Sequence, residues 1–403
     1  MNRNKNETLK IIFTLILLIL AMVSMTMAIK KGVTGGVDFQ WDSAKLLAMR
    51  IDPYKASLSE TSPYHISEYG VVEANQFPSL LWLLFPYALL DGSVAMIAWL
   101  ISNLIFLAGI IVLLRTLFWN NLSKIDYVLV VSVLLSSGCI RSQLHLGQHS
   151  LFAFFFFLLA VWMSKKGKDV LAGLFLAISY FKYSITAPLM LYFLYKKKYK
   201  EVMTSFVPHI VLTLFSSWWL KTDLVTIMLL PLKQATGLSS AGFADIGSLL
   251  EKIGIYNMTT IFSVVIFIGL IIWVLRSKKK ISDYDMICTL VLWSLVFMYH
   301  RRYDYFLLIL PFATVFMPDQ KTKVWRISIM ILTIGVLTIG NFVDLESSIG
   351  QKINAILSAY LPYATICNVL NASMILLLYF VLCISHITFE NKMTASGGTQ
   401  NEV

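Results

Sequence analysis

A few charged and amide side chains stand out in a chain that is otherwise oily. Asp38 and Asp42 lie four residues apart, in Gly36-Val37-Asp38-Phe39-Gln40-Trp41-Asp42. On a helix that spacing would put both carboxylates on one face. Lys182 sits inside an apolar run, in Tyr180-Phe181-Lys182-Tyr183-Ser184. His300-Arg301-Arg302-Tyr303-Asp304 gathers an imidazole, two guanidinium groups, a phenol and a carboxylate in five residues. Asn75-Gln76-Phe77-Pro78 and Gly147-Gln148-His149 add amides and an imidazole. Carboxylates can take up a proton, and arginine and lysine can hold an anion. A lysine at the centre of a bilayer costs about 2.5 kcal/mol or more. Ionisable groups at such positions are functional candidates by default. Each also has a plainer explanation. Asp38 could cap a helix that follows, Lys182 could snorkel outward, and Arg301 or Arg302 could anchor at an interface. Gln148 could bond a neighbouring helix, and Asp304 could simply pair with an arginine.

The elements that must position these residues are membrane helices. Of 403 residues, 58% are hydrophobic and 14% charged, against about 25% charged in soluble domains. That excludes a soluble globular protein and a disordered chain. Long apolar runs without alternation exclude a β-barrel. At about 20 residues per span the chain could cross a bilayer about a dozen times. The expectation is therefore an all-α polytopic protein of about 12 spans, some of them short or re-entrant. Residues 1–10 form a cytoplasmic tail, 11–387 the transmembrane domain and 388–403 a second cytoplasmic tail. Outer loops are expected at 30–78 and 221–256.

The net charge of +11 falls in short basic loops, which is the positive-inside pattern and not a nucleic-acid face. Those loops are 164–168, 196–200, 276–280 and 321–326. Placing all four inside puts 141–150, 221–256, 300–304 and 344–352 outside. Asp169 to Tyr195 then lies between two inner loops, yet its 27 residues are too few for two full crossings. Two short helices, broken around Lys182 to Pro188, satisfy both constraints. Between Ser79 and Trp119 two full crossings would give the wrong parity, so one piece there must be short or re-entrant. The four cysteines, Cys139, Cys288, Cys367 and Cys383, lack metal-ligand spacing and fit helix packing.

Five segments in order resemble glycosyltransferase family 87, of the GT-C fold. They are Asp38-Phe39 followed by Asp52-Pro53-Tyr54; Asn75-Gln76-Phe77-Pro78-Ser79; Leu146-Gly147-Gln148-His149-Ser150; Tyr180 to Ser184 with Pro188; and Tyr299 to Asp304. The likeness spans 30–315. The sequence departs from the family pattern at Ser79, where a second proline is expected, and at Arg50-Ile51, where a glycine is expected.

The resemblance implies transfer of a sugar, mannose or a related one, from a polyprenyl-phosphate donor. The acceptor would be a lipid-linked or cell-envelope glycan at the outer face of the cell membrane. Asp38 would be the general base, with Asp42 as the alternative. Lys182, His300, Arg301 and Arg302 would bind the donor phosphate. Gln76, Gln148, His149 and Asp304 would contact the sugar or acceptor. No metal or other cofactor is indicated. The competing class is a lipid-linked sugar transporter or flippase, which calls for broken helices in two related halves. Only one broken region is evident, and no internal repeat.

Overall fold

The computed structural model describes residues 2–34, 41–56, 74, 76–237, 250, 259–276, 281–298, 300–317, 323–343, 352, 355–356, 369–370 and 372–381. Among them the regular structure is all helical. Asp38, Asn75, Tyr299, Cys367, Cys383, most of the loop after Ala56 and the C-terminal tail lie outside the described residues.

In chain order the helices are α1 (Asn2–Thr34), α2 (Trp41–Ala48), α3 (Pro53–Ala56), α4 (Pro78–Leu81), α5 (Phe85–Ala88), α6 (Gly92–Leu117), α7 (Lys124–Ser136), α8 (Gly138–His145) and α9 (Ser150–Lys165). There follow α10 (Asp169–Ser179), α11 (Tyr183–Tyr195), α12 (Tyr199–Leu220), α13 (Leu224–Gly237), α14 (Thr259–Arg276), α15 (Asp283–Phe297), α16 (Ile309–Ala313) and α17 (Lys323–Val343). Short 3-10 turns join several of them, including Tyr180–Lys182 and Arg302–Leu308. The expected all-α membrane architecture is present. By length and apolarity four segments among the described residues could cross a membrane, five if α7 and α8, bent by 51°, form one span. Those helices do not establish the expected count of about twelve.

Between Ser79 and Trp119 one of the two apolar pieces is short, as expected. Pro78–Ala88 is a short broken helix and α6 is a full 26-residue span.

Asp169–Tyr195 counts by length alone as one of the four spans, but its ends close on each other. Lys198, just past α11, pairs with Asp169 at the start of α10, at 3.8 Å. A straight helix of 27 residues would hold those ends about 40 Å apart. The segment is therefore a hairpin with splayed legs. α10 packs between α9 and α12, and α11 packs on α15. The break falls at Tyr180–Lys182, where Lys182 leaves helical geometry (φ −116°, ψ 70°). It does not extend to Pro188, which sits inside α11. Legs of 11 and 13 residues reach about 16 to 20 Å, short of a hydrocarbon core of about 30 Å. Lys182 thus stands at the tip of a re-entrant hairpin.

Sequence explains why the legs hold. Gly173 on α10 faces α12, where an added Cβ would lie 2.6 Å from Thr204 and 2.7 Å from the Glu201 carbonyl. Small residues allow this approach in a membrane bundle. Pro188 has no N–H, so the Ser184 carbonyl four residues back loses its helical donor. Ser294 Oγ on α15 donates to that carbonyl at 2.8 Å and fills the vacancy. A hydrophobic core runs beneath both legs, with Phe154, Phe157, Leu189, Phe193, Ile287 and Trp293 fully buried. Cys139 and Cys288 are free thiols buried in it.

The other end of the hairpin is basic. Lys165 and Lys196 each reach Asp283 at 3.0 Å. Lys198 also pairs with Glu201 at 3.2 Å, and Lys200 with Asp169 at 3.6 Å. Ser164 donates to Glu201. Residues 164–168 and 196–200, both expected on one side, do share one end of the bundle.

Candidate functional site

The opposite end of α9, α10, α11 and α15 assembles the polar cluster. Its first piece is a helix terminus. Gly147 adopts φ +65° just past α8, and the Gln148 N–H returns to the Gln143 carbonyl at 3.0 Å. This is the long bond of a Schellman cap, a position that favours glycine. The turn reverses the chain within four residues, so His149 directly precedes α9. Trp99 Nε1 donates to the Gly147 carbonyl at 2.6 Å and pins the turn to α6. Trp41 of α2 packs on Trp99, with centroids 6.2 Å apart.

The hairpin tip brings in Lys182, only 8% exposed. Its Nζ lies 3.4 Å from Asp304 Oδ2 and 4.9 Å from the Tyr303 ring centroid. Asp304 is fully buried in the 3-10 turn after α15. His300 Nδ1 stands 2.9 Å from the same oxygen, and the Arg301 N–H donates to it at 3.3 Å. Ser150, the first residue of α9, donates to Oδ1. His300 Nε2 meets Ser294 Oγ at 2.9 Å. Burial alone would raise the Asp304 carboxyl. The Lys182 charge, and the bonds from His300 and Ser150, outweigh it and hold the group below the usual carboxylate range. With four donors already on its two oxygens, Asp304 organises the site and is poorly placed to take a further proton.

A second pair sits beside this cluster. Gln76 Nε2 and His149 Nε2 are 3.4 Å apart. The Gln76 carbonyl accepts from Tyr54 Oη at 2.6 Å, which ties the loop before α4 to α3. The Phe181 ring, next to Lys182 in sequence, meets the His149 ring edge-on at 4.9 Å. His149 lies in the turn between α8 and α9. Burial first, then the Lys182 charge, holds its imidazole below the ordinary range, so it is neutral.

Of the residues singled out from sequence, the structure brings Lys182, His300, Asp304, His149 and Gln76 to one end of the bundle. Gln148 is buried in the same turn, its backbone closing the cap. Arg301 is exposed and Arg302 half-buried, at the margin. Asp42 is 2% exposed on α2. Asp38 lies outside the described residues. Ser150 and Ser294 were not assigned roles from sequence. A serine in an apolar helix carries no signal of its own, though Ser150 stands next to the Gly-Gln-His turn. His209 bridges Ser79 Oγ at 2.9 Å and the Ala177 carbonyl at 3.0 Å. Among the described residues no cluster of three or more His, Cys, Asp or Glu could hold a metal ion.

No curated protein and no solved structure matches the chain. The family model for glycosyltransferase family 87 matches residues 78–318, which include Gly147, Lys182 and His300 to Asp304 but not Asp38 or Gln76. That match covers more than half of a helical membrane chain, with the hairpin and the polar cluster inside it: the protein belongs to glycosyltransferase family 87.

Proposed function

We propose that this membrane glycosyltransferase moves a sugar, mannose or a close relative, from a polyprenyl-phosphate donor to a lipid-linked or cell-envelope glycan. Transfer takes place at the outer face of the cell membrane. The observation that carries this is the buried lysine at the tip of the hairpin, organised by Asp304 at the end opposite the basic loops. A donor anchored by its polyprenyl tail keeps its phosphate near the bilayer surface. A cation held there by a saturated carboxylate is placed to meet it. Arg301 and Arg302 at the margin add positive charge. Positive-inside placement of Lys165 to Lys200 turns the cluster outward.

In the reaction the acceptor hydroxyl attacks the anomeric carbon. Its proton passes to the Asp38 carboxylate as the new C–O bond forms, and the anomeric carbon–phosphate oxygen bond breaks. Polyprenyl phosphate leaves with the bonding electrons. Lys182 and the arginines offset the charge that grows on the phosphate. Asp304 is already saturated, and the resemblance to the family gives the base to Asp38, with Asp42 as the alternative.

Purified protein given a synthetic polyprenyl-phosphate sugar should release polyprenyl phosphate and glycosylate an acceptor extract. Asp38→Asn should abolish transfer and keep donor binding, while Asp42→Asn retains measurable transfer. The opposite pattern moves the base to Asp42, and an active double variant removes the assignment.

A further inference from the structure

The buried Gln76–His149 pair is left half-satisfied. Gln76 Oε1 and His149 Nδ1 have no protein partner, although the two residues are 2% and 5% exposed. Buried polar atoms are nearly always bonded, and each orphan costs free energy. Both belong to one bonded pair, so their characters are linked. If the Gln76 amide N–H donates to His149 Nε2, the neutral imidazole carries its proton on Nδ1. The free atoms are then an acceptor, Gln76 Oε1, and a donor, His149 Nδ1–H. If the amide is flipped, the bond reverses and so do both free atoms. Either way the pair presents one donor and one acceptor and no charge.

We infer that Gln76 and His149 form a subsite for the hydroxyl groups of a neutral sugar, beside the cation at Lys182. A hydroxyl both donates and accepts, and adjacent hydroxyls on a ring can satisfy both atoms at once. A carboxylate would leave the donor satisfied and oppose the acceptor; an ammonium would do the reverse. Phe181 links the subsite to the lysine, since its ring touches His149 and its neighbour is Lys182. His149 also lies within electrostatic reach of Lys182 and Asp304. A hydroxyl-binding pair next to an anion-binding cation matches a sugar joined directly to a phosphate. The inference rests on the proposed sugar transfer for its substrate class. It narrows the expected sugar or acceptor contacts to one bonded pair that takes neutral hydroxyls, one member of it, Gln76, outside the stretch matched by the family model.

The test uses the full chain in lipid nanodiscs, with three probes: bare polyprenyl phosphate, polyprenyl-phosphate mannose and methyl α-mannoside. Wild type should bind the sugar-bearing lipid about tenfold tighter than the bare one. Gln76→Met with His149→Phe replaces all four polar atoms by apolar groups of similar shape. It should bind both lipids equally and melt at the same temperature or higher, because orphaned atoms are removed. If the variant instead loses only methyl α-mannoside binding, the hydroxyls belong to the acceptor sugar, and the subsite stands. A variant that melts lower and keeps its sugar selectivity makes the pair a structural bond and overturns the inference. So does a wild type without selectivity for either sugar probe. Should the double variant not fold, Gln76→Glu, which keeps the shape and replaces the amide by a carboxylate, reports the same selectivity. These are binding measurements, so they hold whether or not transfer is detected, and a failure of the proposed reaction is seen separately.

Discussion

The two ends of the bundle both carry lysine–carboxylate pairs, and they differ in how far the lysines are exposed. At the basic end five lysine–carboxylate contacts share three carboxylates, and the lysines are 37–65% exposed at the side chain. At the other end one lysine, 9% exposed, meets one carboxylate with no exposure at all. Exposed pairs contribute little, because water screens them and long side chains lose entropy when held. Buried pairs are costly to assemble and costlier to break. Charge at the basic end is largely in reach of water. Charge at the hairpin tip is a feature that packing alone would not select.

Breaking the buried pair should have the largest effect. Asp304→Ala leaves Lys182 and His300 buried without their acceptor, a loss of about 3–5 kcal/mol of stability, together with all transfer activity. Chemical denaturation in a mild detergent, read by tryptophan fluorescence, measures the first, and the synthetic donor the second. Normal stability for that variant would mean that the site is wetter than its geometry indicates. Next comes Lys182→Gln, which keeps a donor for Asp304 but removes the charge. Transfer should fall about tenfold or more, with folding retained. Arg301→Gln and Arg302→Gln should do the same if they share the phosphate. Full activity in all three would place the phosphate elsewhere.

At the basic end Asp283→Asn removes the negative charge that Lys165 and Lys196 share and leaves one acceptor oxygen between them. Here the Asp283 carboxyl is held below its usual range: burial opposes ionisation, and the bonds and charges of Lys196 and Lys165 outweigh it. A depressed carboxyl contributes stability above its unfolded pKa and loses it as pH falls through the folded one. The loss should be about 1 kcal/mol or less and should shrink in salt. Catalysis should be unchanged, and a large activity loss would undo the contrast between the two ends. The smallest effect expected is a gain. Lys197 holds φ +57° past α11, where Lys198 N–H returns to the Phe193 carbonyl. Lys197→Gly relieves that left-handed backbone and should stabilise by about 0.5–1 kcal/mol, with transfer untouched.

Much of this could be seen in the sequence, for identifiable reasons. A lysine in an apolar run is costly, so Lys182 announced itself. Two basic loops 27 residues apart forced the hairpin, because distance and charge allowed nothing else. His300 to Asp304 and Gly147 to His149 stood out as polar islands. The exact break did not follow. The expected break ran from Lys182 to Pro188, yet Ser294, 106 positions beyond the proline, supplies the hydrogen bond that lets Pro188 stay inside α11. Such a partner lies on another helix and leaves no local trace. For the same reason Ser150 passed unnoticed as a donor to Asp304, and the Gln76–His149 pair, 73 residues apart, could not be foreseen.

The hairpin also bears on how the chain enters the membrane during synthesis. When Asp169–Tyr195 leaves the ribosome it is an apolar segment long enough to cross outright. A complete crossing would carry Lys196, Lys197, Lys198 and Lys200 to the far side, against the bias that retains basic loops. The two basic flanks therefore hold both ends while the middle is still without α12 and α15. Until those helices arrive, the α10 leg lacks its close contact at Gly173, the start of α11 lacks the bond from Ser294, and Lys182 has no Asp304. The hairpin tip thus waits for Ser294 and Asp304, which are translated more than a hundred residues after it.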